Sequence, residues 1–169
     1  MGRPSASESS PMTTTRRAFC LLASAAALSA CGARGRPKDH PPATSGLHAG
    51  ASPAMRRLVD HYASVYGVPA PLVHRVIQRE SGYRPEARNG PYYGLMQILP
   101  QTARTMGHRG EASELLDAET NLKYGVKYLR GAWLLSHGSY DEAVGWYARG
   151  YYYEAKRRGM LVETGLRAG

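Results

Sequence analysis

The sequence predicts a mainly α-helical fold with at most a short β-hairpin. Apolar residues recur at helical spacing in most segments after residue 52, and residues that favour helix ends stand where those segments would begin and stop. The longest alternating stretch runs from Tyr92 to Leu99, which is enough for a hairpin only. With 169 residues, of which 43% are apolar, the chain can bury one sizeable core in a single domain.

Residues 1–30 are expected to be an export signal that does not belong to this core. Arg16 and Arg17 precede an apolar run from Ala18 to Leu28, which is too short to span a bilayer. The paired arginines fit either a twin-arginine signal or the basic start of an ordinary one. Leu28-Ser29-Ala30-Cys31 resembles a bacterial lipobox, which implies a lipoprotein signal peptide with Cys31 as the lipidated residue. The alternative is an ordinary signal peptide in which Cys31 is incidental.

Residues 31–51 are expected to form a flexible linker, because they are rich in Pro, Gly and Ala and show no hydrophobic period. The chain carries 22 Lys and Arg against 13 Asp and Glu, a balance that favours anionic polymers or membrane faces, although solubility alone would also explain it. No nucleic-acid-binding motif is present. Removal of the signal would leave no cysteine pair for a disulfide.

The helical segments after the linker each have recognisable ends, such as the Ser139 to Glu142 pattern of a capping box. Residues 82–94 contain Gly, Pro and Asn at positions that allow no regular element. Six helices are predicted. Their bounding residues are Ser52 to Gly67, Pro69 (or Pro71) to Ser81, Pro100 to Gly107, Asp117 to His137, Ser139 to Gly150, and Gly150 to Gly159.

Glu80 stands where the second helix should present an apolar side chain, on the same face as Val73 and Ile77. An ionised carboxylate that faces a core is costly, so the group must be paired or must keep its proton. A carboxyl with a raised pKa is what a general acid requires at neutral pH. The alternative is that Glu80 turns outwards and forms an ion pair with Arg84 or Arg88.

Several ordered motifs resemble those of the soluble lytic transglycosylase family, and together they cover Leu58 to Gly159. They are Glu80-Ser81 followed by Pro85 and Ala87, Gly94-Leu95-Met96-Gln97-Ile98, Pro100-x-Thr102-Ala103, and Asn121-x-x-x-Gly125-x-x-Tyr128-Leu129. The resemblance implies a lysozyme-like helical domain related to goose-type lysozyme. The domain is expected over residues 52–160, followed by a C-terminal tail at 161–169.

The resemblance also implies a murein lytic transglycosylase with Glu80 as the catalytic acid. Glu80 would protonate the glycosidic oxygen between N-acetylmuramic acid (MurNAc) and N-acetylglucosamine (GlcNAc), and then draw the proton from the muramic C6 hydroxyl. That hydroxyl attacks the anomeric carbon and yields a 1,6-anhydro sugar. One carboxylate then suffices, whereas a conventional glycosidase needs two. Among the other acids, Glu86, Glu111 and Glu114 stand in no pattern that demands catalysis, and Asp117 is better explained as a cap.

The residues that would line the groove follow from the same resemblance: Ser81, Gly94, Met96, Gln97 and Tyr147 are the candidates for substrate binding. Gly94 would let the chain pass close to a sugar, and Gln97 offers both a donor and an acceptor. Core packing is the alternative for Met96. Helix termination is the alternative for Ser81.

The motif near the C-terminus departs from the family pattern. The family usually shows Ala-Tyr-Asn-x-Gly near the C-terminus, where this chain has Trp146-Tyr147-Ala148-Arg149-Gly150. Alanine cannot make the hydrogen bonds of the missing amide. Intact chemistry in a divergent branch and a weakened enzyme are both open at this point.

The expected partners are the glycan strands of peptidoglycan, and a membrane reached through the lipid anchor. The protein would act in the periplasm as a monomer without a cofactor. No metal is expected, because no two of the six histidines stand at metal-ligand spacing. Two rival functions stay open: a hydrolytic muramidase that uses the same Glu80, and a non-catalytic peptidoglycan-binding lipoprotein.

Overall fold

The computed structural model describes residues 50–169, so the predicted signal peptide, Cys31 and nearly all of the predicted linker lie outside the described residues. Within residues 50–169 the mainly helical prediction is confirmed. No helix in this range is both long enough and apolar enough to cross a membrane. The elements are α1 (Pro53–Tyr66), α2 (Ala70–Glu80), β1 (Arg88–Asn89), β2 (Tyr92–Tyr93), α3 (Pro100–Thr105), a 3-10 helix (Ala112–Leu116), α4 (Ala118–Leu135), α5 (Tyr140–Arg149) and α6 (Tyr152–Arg157).

Side-chain caps define where three of the helices begin. The side-chain oxygens of Ser52, Asp117 and Ser139 each accept a hydrogen bond from the backbone amide three residues on, at 3.1, 2.8 and 3.3 Å. The capping box with both reciprocal hydrogen bonds lies at Glu111 and Glu114, before the 3-10 helix, and not at Ser139. Three acids that might have been catalytic are therefore caps.

The hairpin lies earlier in the chain than the alternating pattern indicated. β1 and β2 pair antiparallel around a turn at Gly90, inside the stretch 82–94 that was predicted to hold no regular element. The segment from Tyr92 to Leu99 supplies one strand and a single bridge between Tyr93 and Ile98. Strands of two residues are too short to produce a period in the sequence, which is why the pattern placed them wrongly.

The core is built around α4, which packs against α1 on one side and α5 on the other. Helix α2 contacts both α1 and α5, and Glu80 at its C-terminal end lines the same cleft as Tyr147 and Ala148 of α5. A second, smaller apolar cluster, made of Ile98, Ala103 and Leu115, is covered by Tyr93 of the hairpin. The end of α2, the hairpin and α5 are thereby brought to one side of the domain.

Residues 160–166 follow α6 and turn back against the helical core. Met160, Leu161 and Leu166 pack on the core. Thr164 is 2% exposed, and its hydroxyl donates to the Met160 carbonyl at 2.6 Å. Part of the segment predicted as a tail is therefore packed against the domain.

Candidate active site

Glu80 is the last residue of α2, and its side chain is 23% exposed. Its Oε1 lies 3.7 Å from Nε of Arg79. Burial raises the pKa of Glu80 above its ordinary value, and the Arg79 cation opposes part of that rise. The two arginines considered as alternative partners lie elsewhere: Arg84 donates to the Ser81 carbonyl, and Arg88 stacks on the Tyr93 ring.

Two adjoining clefts open beside this carboxyl and form one groove, because they share Tyr92, Gln97, Tyr147 and Ala148. Glu80 is the only acid among the residues that line either of them. The cleft that contains Glu80 measures about 310 Å³ and is also lined by Arg79 and Asn89. The second measures about 300 Å³ and is also lined by Ile98, Leu99, Thr102, Tyr128, Arg149 and Gly150.

Gln97, which lines this groove, has an unsatisfied acceptor on its side chain. Its Nε2 donates to the carbonyls of Ala87 and Gly94, at 3.1 and 2.8 Å. Its Oε1 is buried and has no hydrogen-bond partner within the described residues. The backbone at Gln97 has φ 47, a left-handed conformation that residues other than glycine seldom adopt. Such strain and a lone buried acceptor are costly, and they are typical of a site that receives a ligand.

Asn121 of α4 fixes the loop that carries Gln97. Its Nδ2 donates to the carbonyls of Tyr93 and Leu115, at 2.8 and 2.7 Å, and its Oδ1 accepts from the Met96 amide at 2.9 Å. A Cβ on Gly94 would lie 2.2 Å from that Nδ2. The missing side chain at Gly94 therefore leaves space for the Asn121 side chain. The sequence predicts a sugar in that space, and this prediction is not supported.

Met96 and Tyr147 are joined behind the groove. The Met96 side chain is fully buried, and a Cβ on Gly125 would lie 2.6 Å from its Sδ, so the thioether packs on α4. The Tyr147 hydroxyl donates to the Met96 carbonyl at 2.7 Å. Burial, the negative charge of Glu80 and the neighbouring Tyr128 hold the pKa of Tyr147 well above its ordinary value. Tyr147 is thus a permanent donor that braces the loop beside the acid.

Ser81 also supports the loop from behind. It is 4% exposed, and its hydroxyl donates to the Leu95 carbonyl at 2.8 Å. Of the five predicted substrate-binding residues, Gln97 and Tyr147 line the groove with Glu80. The structure places the other three, Ser81, Gly94 and Met96, outside the residues that line the clefts.

Three residues of the cleft that contains Glu80 were not predicted as site residues: Arg79, Asn89 and Tyr92. Asn89 and Tyr92 come from the hairpin that the alternating pattern misplaced. The dipeptide Asn89-Gly90 is a known hairpin signal and could have placed the turn. Arg79 carries no such signal, because its position beside the acid depends on how α2 ends.

Ala148 is exposed and lines both clefts. The departure from the usual Ala-Tyr-Asn-x-Gly pattern therefore falls within the groove itself. A methyl group replaces an amide on the α5 wall, and that wall has no hydrogen-bonding side chain at this point.

Known proteins resemble this chain in sequence and in fold. Residues 57–157 match the family described as Transglycosylase SLT domain. A solved structure of the 70-kDa soluble lytic transglycosylase in complex with bulgecin A is similar to this chain with a TM-score of 0.53 and 24% sequence identity. That match covers 64% of this chain and 18% of the other protein, and at this identity it supports the lysozyme-like fold alone. Because the family match runs from α1 to α6 and spans more than half of the sequence, the chain belongs to the transglycosylase SLT family.

Proposed function

We propose that this protein is a peptidoglycan lytic transglycosylase, which cleaves the β-1,4 bond between MurNAc and GlcNAc and leaves a 1,6-anhydro-MurNAc end. One observation carries the proposal: within residues 50–169, Glu80 is the only acid that lines the groove, and burial raises its pKa. Membership of the family supports an activity on glycan strands. A reaction that needs one acid fits this groove better than one that needs two.

In the proposed reaction, Glu80 first gives its proton to the glycosidic oxygen while the bond from that oxygen to C1 of MurNAc breaks. The GlcNAc part leaves with a free C4 hydroxyl. The Glu80 carboxylate then removes the proton from the C6 hydroxyl of the same MurNAc, and O6 bonds to C1. No water is consumed, and Glu80 ends the cycle protonated, ready for the next bond.

The other groove residues would hold the sugar in place for this acid. Gln97 lines the groove and carries a buried acceptor with no partner within residues 50–169, which supports a polar contact between this side chain and a hydroxyl or an acetamido N–H of the glycan. Tyr147 fixes the loop beside the acid through the Met96 carbonyl. Ser81, Gly94 and Met96 would act through the shape of that loop, since none of them lines a cleft.

The test is the chemistry of the new glycan ends. Purified sacculi digested with the full chain should release muropeptides with anhydro-MurNAc ends, lighter by one water than reducing ends and distinguishable by mass spectrometry. Glu80→Gln should abolish their release. If only free reducing MurNAc ends are found, the protein is a hydrolytic muramidase. Bulgecin A, which is bound in the similar structure, should inhibit the release if the same groove is used.

A second candidate is a peptidoglycan-binding protein without turnover, because Ala148 replaces the usual asparagine of the family pattern within the groove. Clearing of a sacculus suspension separates the two functions. If the parent chain and Glu80→Gln are equally inert but both sediment with sacculi, the protein is a binding module. If the parent clears the suspension and the variant does not, it is an enzyme.

We also propose that the protein works as a monomer in the periplasm, anchored to a membrane by lipid on Cys31. The family acts on peptidoglycan, which lies outside the cytoplasm. The leader pattern, in residues that the structure does not describe, supports the anchor. Metabolic labelling with a fatty-acid probe should mark the full chain and not Cys31→Ala; persistent labelling of the variant would contradict the anchor. Light scattering after size exclusion tests the monomer.

A further inference from the structure

Tyr92 stands at the junction of the two clefts. It is one of the four residues that line both, together with Gln97, Tyr147 and Ala148. Gln97 and Tyr147 are buried, and Ala148 has only a methyl group. Tyr92 is 41% exposed, so it alone among the four offers a large accessible side chain.

The hairpin holds Tyr92 in place through its neighbour. Tyr93 exchanges backbone hydrogen bonds with Ile98, both at 3.1 Å, and its carbonyl also accepts from Asn121 at 2.8 Å. Tyr93 packs on the small cluster beneath the hairpin. Because side chains alternate along a strand, Tyr92 lies on the opposite face, towards the groove. The ring of Tyr92 is therefore mounted on a fixed backbone.

The fold itself makes little use of the Tyr92 side chain. Within residues 50–169 its hydroxyl has no hydrogen-bond partner and its ring has no aromatic partner. A tyrosine in such a position has a flat apolar face, a polar end and few rotatable bonds, so it can cover a ligand at low entropic cost. The carbohydrate of a glycan strand presents faces of C–H groups that such a ring can cover.

We propose that Tyr92 is a glycan-binding residue, whose ring stacks on the sugar that lies where the two clefts meet. It would supply, from the hairpin wall, a contact that Ala148 cannot supply from the α5 wall. The inference rests on the proposed function and extends it with a residue that neither the motifs nor the family match assign.

Binding can be measured without turnover in the full-length Glu80→Gln chain, with a soluble tetrasaccharide of alternating GlcNAc and MurNAc as the probe. Adding Tyr92→Ala should weaken binding about tenfold, the loss typical of a tyrosine that anchors an interface. Adding Tyr92→Phe should keep the affinity within about twofold, because the ring remains. Should Tyr92→Ala fail to fold, Tyr92→Leu keeps the bulk without the flat ring and should show the same loss.

The matched control is Tyr153 of α6, which is 83% exposed and lines neither cleft. Adding Tyr153→Ala to the Glu80→Gln chain should leave binding unchanged. The proposal is overturned if loss of the Tyr92 ring leaves the affinity within about twofold of the parent, or if the Tyr153 variant weakens binding equally.

Kinetics separate this inference from the proposed function. In the active chain, Tyr92→Ala should raise KM about tenfold with little change in kcat, the signature of a contact made equally in the ground and transition states. If the parent chain binds the tetrasaccharide but releases no product, the proposed enzymatic function is refuted. The affinities of the Tyr92 variants can still be compared in that case. A parent that cleaves sacculi, with unchanged KM in the variant, would refute the role of Tyr92 alone.

Discussion

Arg79 should set the pH range over which Glu80 can act as an acid, and Arg79→Gln should move that range upward. The guanidinium favours the carboxylate of Glu80, so it lowers the pKa that burial raises. Without the cation, burial acts unopposed and the pKa of Glu80 rises. A general acid works only while protonated, so activity is lost as pH rises through that pKa. The alkaline limb of the kcat profile should therefore shift to higher pH.

The size of the shift follows from the 3.7 Å that separates Arg79 Nε from Glu80 Oε1. The Arg79 side chain is 54% exposed, so a water-like dielectric applies, and the attraction is about 1 kcal/mol. Screening at physiological ionic strength reduces it to about 0.7 kcal/mol. Loss of this attraction favours the protonated form of Glu80 by the same free energy, so the alkaline limb should move upward by a corresponding amount. Burial keeps the pKa of the neighbouring Tyr147 hydroxyl well above its ordinary value, and Glu80 is the only acid among the described residues that line the groove.

The assay is the initial rate of anhydro-muropeptide release at saturating sacculi, across about pH 4 to 9 at fixed ionic strength. Arg79→Lys, which keeps the charge, should shift the limb less than Arg79→Gln. The matched control is Arg57→Gln on α1, an exposed arginine that lines neither cleft. An unmoved or downward-shifted limb in Arg79→Gln would refute the reasoning. An equal shift in Arg57→Gln would show that net charge, and not proximity, is responsible.

Three further variants test the loop and the groove. Gly94→Ala should lower the free energy of unfolding, measured in urea, by about 3 kcal/mol, because its Cβ would clash with Asn121. Gly90 also has a positive φ, but a Cβ there would meet nothing within 4 Å, so Gly90→Ala should cost only about 1 kcal/mol. Equal losses for the two variants would contradict the clash at Gly94. Asn121→Ala removes the side-chain partner of two buried backbone groups, the Met96 amide and the Leu115 carbonyl, and should lower the free energy of unfolding by about 3 kcal/mol in the same measurement. A loss below about 1 kcal/mol would contradict this explanation. Ala148→Asn should raise kcat/KM about fivefold on sacculi if the missing amide binds the glycan, and an unchanged ratio would remove that position from the site.

The helices could be predicted because their signals are local. Ser52, Asp117 and Ser139 each bond to an amide three residues away, so a short window of sequence contains both partners. The position of Glu80 at the end of α2 follows from the same local spacing. The hairpin could not be placed by period, since its strands are two residues long and the pairing that defines them carries no alternation.

The directions of the loop side chains could not be predicted, because they depend on contacts far apart in sequence. The resemblance named Gly94, Met96 and Asn121 as members of motifs, but a motif does not say which way a side chain points. The side-chain amide of Asn121 bonds to the backbone of Met96, 25 residues earlier, and of Tyr93, 28 residues earlier, and it fixes the loop from which the Met96 side chain enters the core. The residues that mark the family on this loop are therefore, in part, those that shape it.

The departure at Ala148 falls on a different part of the site from the acid. Burial raises the pKa of Glu80 and the adjacent Arg79 opposes the rise, so neither influence depends on an amide at position 148. Tyr147 braces the loop through its own hydroxyl, which the alanine beside it does not disturb. What the chain lacks is one polar contact on the α5 wall, opposite a hairpin that exposes an aromatic ring. In the proposed enzyme, proton transfer and glycan binding therefore rest on separate residues, and the alanine affects how tightly a strand is held without removing the acid that would cut it.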